Sequence, residues 1–167
     1  KPRIGVFVCE CGLNIAGFLD CEEVRKYAGG LDDVVVSMRN RYTCSDPGQD
    51  TIKNDIRDLK LNRVLVCSCS PTLHLQTFRE ACEAAGLNPH LCEMATIREH
   101  CSWVHSHEPQ KATEKAMALV AAGVRGLRRA ARDATGGAGY GPTTEPGLDR
   151  KWSGPRPAPA TRSSHRG

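Results

Sequence analysis

Two apolar stretches of this sequence end in the same arrangement of thiols, two cysteines separated by a single residue. The stretch VFVCEC ends with Cys9 and Cys11, and the stretch VLVCSC ends with Cys67 and Cys69. Cysteine thiolates bind iron–sulfur clusters, usually four to a cluster, and they also bind zinc in tetrahedral sites. Whether these thiols could share such a group depends on the elements that carry them.

The number of cysteines, nine in 167 residues, is high for a chain without a visible secretory signal. The chain opens with KPRIGVFVC, which is typical of a strand rather than of a signal peptide. We therefore expect a cytoplasmic protein with reduced thiols, because disulfide scaffolds belong to oxidising compartments. Metal, cluster or redox chemistry is then the favoured use of so many cysteines.

Short apolar runs alternate with amphipathic stretches over residues 1–133, which we interpret as one domain. The runs have the length and β-branched composition of buried strands, and the stretches begin with capping residues such as Asp20 and Ser45. This alternation predicts an α/β fold, a small and mostly parallel sheet flanked by helices. The predicted strands are residues 3–9, 33–44, 62–69 and 90–97, and the predicted helices are residues 20–30, 45–61, 70–87 and 108–134.

The ends of these predicted strands explain the repeated thiols. Cys9 and Cys11 end the first strand, Cys44 the second and Cys69 the third, while Cys101 follows the fourth. Because the carboxyl ends of parallel strands meet at one edge, where ligands bind, the five thiols should converge there. The helices predicted after the second and third strands would add their N-terminal N–H groups, which favour an anionic ligand.

The other four cysteines have a plainer interpretation. Cys21, Cys82 and Cys92 stand inside or beside elements, where a small apolar residue would serve equally well. Cys67 lies inside the third strand and faces away from its neighbour Val66, so we predict that it packs in the core.

The spacing leaves more than one chemistry open. It matches neither the C-x2-C-x2-C pattern of ferredoxins nor paired C-x2-C zinc motifs. His100, His105 and His107 surround Cys101 and are candidate zinc ligands, although such a run is more often a solvated loop. A redox disulfide between close thiols is a third chemistry, but neither Cys-x-Cys pair has the C-x-x-C spacing of redox motifs.

The last part of the chain differs from the rest in composition. Residues 134–167 are rich in Gly, Pro and Arg and nearly lack aliphatic side chains, so we predict a disordered tail. Residues 125–167 also hold nine Lys or Arg against three acidic residues, so the overall charge of +4 belongs to this end. The compact part is mildly acidic and has no apolar run near the roughly 20 residues of a membrane span. We therefore expect neither nucleic acid nor membrane as a partner.

Five segments carry a family resemblance: VFVCECGLNIAG, YTCSDPGQ, LNRVLVCSCSPTLH, AGLNPHLCEMATIREHCSWVH and ATEKAMALV. Together, from about Arg3 to about Arg129, they resemble the N-terminal domain of the A subunit of heterodisulfide reductase. The shared cysteines of the family match five positions, namely Cys9, Cys11, Cys44, Cys69 and Cys101. The remaining cysteines stand where that family is expected to have apolar residues.

The resemblance implies that the domain holds one [4Fe–4S] cluster for one-electron transfer. Four of the five matching thiols would bind it. Cys44, Cys69 and Cys101 are expected ligands, and the fourth is either Cys11 or Cys9. We favour Cys11, because the glycine that follows it leaves backbone room and free N–H groups for the sulfides.

The resemblance also implies partners. In the family, the A subunit works with the B and C subunits, and often with a hydrogenase, to reduce the mixed disulfide of coenzyme M and coenzyme B in methanogenesis. Its FAD domain and ferredoxin modules would follow this domain, but neither a flavin fingerprint nor a C-x2-C-x2-C-x3-C-P run occurs here.

We therefore expect an electron-transfer domain or truncated subunit of a heterodisulfide reductase-type oxidoreductase that is not catalytic by itself. FAD would reside only in the missing downstream domain. The alternative is a non-redox, cysteine-rich module, zinc-binding or redox-sensing, that docks partner proteins.

Overall fold

A computed structural model of the protein describes residues 1–133, with side chains as far as residue 130. Its centre is a four-stranded sheet with the strand order β2-β1-β3-β4, in which every neighbouring pair is parallel. The strands are β1 (Ile4–Cys9), β2 (Val34–Asn40), β3 (Arg63–Ser68) and β4 (Cys92–Thr96). The predicted α/β fold with a parallel sheet is confirmed, whereas the predicted tail of residues 134–167 lies outside the described residues.

Helices connect the strands and cover both faces of the sheet. The α-helices are α1 (Gly12–Ile15), α2 (Cys21–Gly29), α3 (Asp46–Asp58), α4 (Pro71–Ala84) and α5 (Pro109–Asp133). A short 3₁₀-helix (Pro89–Leu91) precedes β4, and a π-helix (Arg98–Ser102) follows it.

The alternation of side chains along the strands builds a separate core on each face of the sheet. Val8 and Cys67 are fully buried on the face covered by α2 and α5. Phe7 and Val66 are fully buried on the other face, against α3 and α4. The prediction that Cys67 faces away from Val66 is therefore confirmed.

The sequence signals for helix starts are also confirmed. The Asp20 carboxylate accepts a hydrogen bond from the backbone N–H of Glu23 at 2.9 Å, and the Ser45 hydroxyl accepts one from Gly48 at 3.4 Å. Such caps satisfy N–H groups that have no partner within the helix, and each contributes about 1 kcal/mol. The cap at Ser45 orients α3 immediately after Cys44.

The structure differs from the predicted elements at the end of the second strand. β2 ends at Asn40, and residues 41–44 form a turn instead of continuing the strand as far as Cys44. Tyr42 has a φ of +51°, a left-handed conformation that bulky residues rarely adopt and that no local pattern predicts. This turn, rather than the strand, carries Cys44.

None of the helices within residues 1–133 combines the length and the apolar character needed to span a lipid bilayer.

Two helical glycines provide a matched test of how closely α3 packs on the turn that carries Cys44. A Cβ added to Gly48 would lie 2.5 Å from the Thr43 carbonyl oxygen, whereas one added to Gly126 meets nothing within 4 Å. We expect Gly48→Ala to lower the free energy of unfolding by about 1–3 kcal/mol. Gly126→Ala should raise it by up to about 1 kcal/mol. Urea denaturation measures both values, and a Gly48→Ala variant as stable as the wild type would contradict the packing.

Candidate metal centre

The carboxyl edge of the sheet carries cysteines on successive loops. Cys11 is the N-cap residue of α1, directly after β1. Cys44 precedes Ser45, the N-cap of α3, and Cys69 precedes Ser70, the N-cap of α4. Because all four strands are parallel, these loops lie on the same side of the sheet. Two full-length helices, α3 and α4, therefore begin within two residues of a thiol.

Four thiols lie close enough at this edge to influence one another electrostatically. Burial raises the pKa of Cys11, and the neighbouring thiols of Cys9, Cys69 and Cys44 raise it further. The pKa of Cys44 is raised for the same reasons, first by burial and then by Cys9 and Cys69. Since like charges disfavour ionisation, Cys11 and Cys44 resist becoming thiolates beside these neighbours unless a cation joins the group.

Cys101, the fifth predicted ligand, occupies a different position. It is fully buried in the π-helix, in the same core as Cys67, and its charge raises the pKa of Cys67 rather than that of Cys11 or Cys44. Burial raises the pKa of Cys101 itself to about 11, with the opposing charge of Lys115 nearby. The structure thus groups four of the five predicted thiols and places the fifth beside Cys67.

The two cysteines of the first loop differ in accessibility. Cys9 is 3 % exposed, and its sulfur accepts a hydrogen bond from the backbone N–H of Thr43 at 3.5 Å. Cys11 is only half-buried, and it is followed by Gly12, whose φ of +45° suits glycine. Cys11 therefore has the more open environment of the two.

Several buried polar atoms near these cysteines lack a hydrogen-bond partner among the described residues. They include the side-chain nitrogen of Asn40 and the hydroxyls of Thr43 and Ser68, each a few residues before a predicted ligand. The Nε atom of Arg98 is another. Unpaired buried donors are costly, and the sulfur atoms of an anionic cluster accept such hydrogen bonds. This set of thiols and donors fits an iron–sulfur cluster.

A single metal ion would need its ligands to converge on one point. Within the part of the chain that the structure describes, no three Cys, His, Asp or Glu side chains are grouped closely enough for that. In a [4Fe–4S] cluster each thiolate binds a different iron atom, so the four sulfurs stand farther apart. Four cysteines that lie near one another without converging on one point are compatible with a [4Fe–4S] cluster.

The histidines considered as zinc ligands do not join the four thiols. His100 and His107 are exposed. His105 is partly exposed, with its Nδ1 atom 3.7 Å from the Glu108 carboxylate. These side chains are better described as part of a solvated polar segment than as metal ligands.

The cysteines interpreted as packing residues are buried in the core. Cys82 and Cys92 are both fully buried on the α3–α4 face. The neighbouring Cys82 and burial raise the pKa of Cys92 far above its ordinary value. Burial raises the pKa of Cys21 to about 12. Cys21 and Cys92 therefore stay protonated at neutral pH.

The π-helix that contains Cys101 is the feature of the site that sequence patterns do not predict. Its composition indicates a polar loop, yet Arg98 is largely buried there and Ser102 is fully buried. π-helices are rare and occur frequently at functional sites. The unusual composition of REHCSW, with charged residues beside a cysteine and a tryptophan, is the only signal of it in the sequence.

No family model matches the chain, whereas several characterised proteins are similar to it. The chain is 58% identical over 120 residues to the second iron-sulfur A subunit of CoB–CoM heterodisulfide reductase from Methanopyrus kandleri, covering 72% of this chain and 18% of that protein. It is 52% identical over 128 residues to a protein of Archaeoglobus profundus that is named as similar to the A subunit of heterodisulfide reductase, covering 77% and 18%. It is also 58% identical over 120 residues to the A subunit of the H(2):CoB-CoM heterodisulfide,ferredoxin reductase from Methanothermobacter thermautotrophicus, covering 72% and 18%.

The predicted family resemblance is therefore confirmed. Over about three quarters of its length, the chain is homologous to part of the A subunit of heterodisulfide reductase. The chain spans about a fifth of the length of the curated relatives it matches, which agrees with the predicted partial coverage.

Cys101 allows a pH-dependent test of the buried thiols. Its pKa rises from an ordinary value of 9.0 to about 11 in the folded chain. Below about pH 9 the Cys101 thiol is protonated in both the folded and the unfolded chain, so its contribution to stability is fully present. As the pH rises towards about 11, the unfolded chain releases this proton first, and the contribution is lost. We expect the free energy of unfolding of the metal-free chain to fall over this range, and to fall less in Cys101→Ala. Urea denaturation between about pH 8 and about pH 11 measures both slopes, and equal slopes would contradict the assignment.

Proposed function

We propose that this chain is an iron–sulfur electron-transfer domain that holds one [4Fe–4S] cluster at the carboxyl edge of its sheet. Cys11, Cys44 and Cys69 would bind the cluster together with either Cys9 or Cys101. The observation that carries the proposal is the group of four cysteines at this edge, beside the N-termini of α3 and α4, in which burial and the neighbouring cysteines raise the pKa of Cys11 and Cys44. The iron-sulfur subunit name of the relatives supports the same chemistry.

The electrostatics of the edge suit this role. Bound iron would offset the burial and the neighbouring cysteines that raise the pKa of Cys11 and Cys44, so these residues would bind as thiolates. The backbone N–H groups at the starts of α3 and α4 and the hydroxyls of Thr43 and Ser68 would donate to an anionic group. When bound, the cluster supplies one-electron transfer, and these donors influence its potential.

The contacts favour Cys9 as the fourth ligand. Cys9 influences both Cys11 and Cys44, whereas Cys101 is adjacent to Cys67. Both thiols are buried in the same core, but the sulfur of Cys9 lies at the turn that carries Cys44, where it accepts a hydrogen bond from the Thr43 N–H. A sulfur bound to iron can still accept such a hydrogen bond, so this contact is compatible with binding by Cys9.

We further propose that the domain works inside a heterodisulfide reductase-type oxidoreductase and does not catalyse a reaction alone. The expected partners are the B and C subunits and an electron donor such as a hydrogenase, and FAD would belong to the larger remainder of the A subunit. Electron transfer to such partners needs a contact surface near the cluster. Large apolar side chains are exposed on the loops and first helical turns at this edge, namely Leu13 (84 %), Tyr42 (50 %), Leu73 (60 %), Trp103 (52 %) and Val104 (58 %).

Metal analysis of anaerobically purified protein tests the ligand set. We expect equal amounts of iron and acid-labile sulfide in the wild type and in Cys82→Ala, because Cys82 lies in the opposite core. Cys69→Ser should lose most of both, since a cluster requires four strong thiolate ligands. A wild-type chain that contains zinc instead of iron would support the alternative of a non-redox module. Retention of the cluster by Cys69→Ser and its loss from Cys82→Ala would contradict the proposed ligands.

The same analysis distinguishes the two candidates for the fourth ligand. We expect Cys9→Ala to lose most of the iron, and Cys101→Ala to retain it, because only Cys9 belongs to the group of interacting thiols. The opposite result would show that the π-helix rearranges when the cluster binds. Far-ultraviolet circular dichroism of both variants checks that the fold is intact.

A further inference from the structure

The π-helix places a guanidinium group next to the thiol-lined edge. The backbone N–H of Ile97 donates to the carbonyl of Ser68 at 2.9 Å, immediately before Cys69. At the other end, the Ser102 hydroxyl donates to the carbonyl of Asn14 at 2.6 Å, in the helix that follows the Cys11 turn. The segment that carries Arg98 is thus anchored both to the loop of Cys69 and to the loop of Cys11.

The Arg98 side chain is held in one orientation. The side chain is 16 % exposed. Its guanidinium carbon lies 4.6 Å from the centre of the Trp103 ring, and its Nη2 atom donates a hydrogen bond to the Glu99 carboxylate at 2.9 Å. Stacking on an aromatic ring and a charged hydrogen bond both restrict a guanidinium group. The Nε donor is buried and has no partner among the described residues.

The charge of Arg98 acts on two of the proposed ligands. Although burial opposes it, the pKa of Arg98 is raised by its hydrogen bond to Glu99 and by the nearby thiols of Cys69 and Cys11. The charge of Arg98 in turn lowers the pKa of Cys11, and so partly offsets the effect of burial and of the neighbouring cysteines, which raise it. A permanent positive charge therefore stands beside these two thiols, with an unused N–H group.

We propose that Arg98 raises the reduction potential of the cluster by placing a fixed positive charge beside the Cys11 and Cys69 thiolates. This inference rests on the proposed function. Reduction adds one electron, and hence one negative charge, to a group that is already anionic. A neighbouring cation stabilises the more negative state more than the less negative one, so it favours uptake of the electron. Glu99 partly cancels this effect, because its carboxylate accepts a hydrogen bond from the same guanidinium.

Redox titration followed by electron paramagnetic resonance tests the inference on the anaerobically purified chain. We expect Arg98→Met to lower the midpoint potential, because the charge is lost while much of the apolar contact with Trp103 is kept. Arg98→Lys should restore most of the shift, and Glu99→Gln should shift the potential in the opposite direction. The matched control is Arg128→Met, which removes an arginine paired with Asp32 and Asp33, and it should leave the potential unchanged.

The outcomes separate this inference from the proposed function. A wild-type chain without iron and sulfide overturns both. A full cluster content in every variant, with the same potential in Arg98→Met as in the wild type, overturns the role of Arg98 alone. Loss of the cluster from both Arg98→Met and Arg98→Lys also overturns it, since the residue would then serve the fold. Loss from Arg98→Met only, with retention in Arg98→Lys, supports a charge that acts on the thiolates.

Discussion

The convergence of cysteines at one edge of a parallel sheet is the constraint on which the proposed site depends. A parallel arrangement brings the carboxyl ends of all four strands together, so cysteines that are far apart in sequence become neighbours. The pKa values of Cys11 and Cys44 are raised because each thiol is buried near others. Such a group is unfavourable as a set of thiolates by itself, and it becomes favourable when a cationic centre binds to it.

The residues and helix N-termini around the thiols would stabilise an anionic cluster. Ser45 and Ser70 start α3 and α4 directly after Cys44 and Cys69, so the positive ends of two helix dipoles lie beside the sulfurs. Gly48 packs so closely on Thr43, in the turn that carries Cys44, that no Cβ fits between them. Arg98 adds a positive charge on the side of the edge that faces β4. These features all concern the loops after the strands and the helix starts that follow them.

The sheet, its edge and most helix boundaries could be predicted from the sequence, because they depend on local signals. The short apolar runs at residues 4–9 and 63–68 mark β1 and β3, and capping residues such as Asp20 and Ser45 mark helix starts. The environment of Cys101 could not be predicted in this way. The π-helix that turns its thiol towards Cys67 is held by contacts such as the one between Ser102 and Asn14, which are 88 residues apart. The left-handed turn at Tyr42 likewise depends on packing that no periodicity reveals.

Anomalous diffraction from crystals of the anaerobically prepared chain, recorded on both sides of the iron absorption edge, tests the central claim most directly. We expect one compact iron peak at the carboxyl edge of the sheet, bounded by the sulfurs of Cys11, Cys44 and Cys69. Iron bound elsewhere, at Cys82 and Cys92 for example, would contradict the proposed site. A single ion with the zinc edge at the predicted position would contradict it equally.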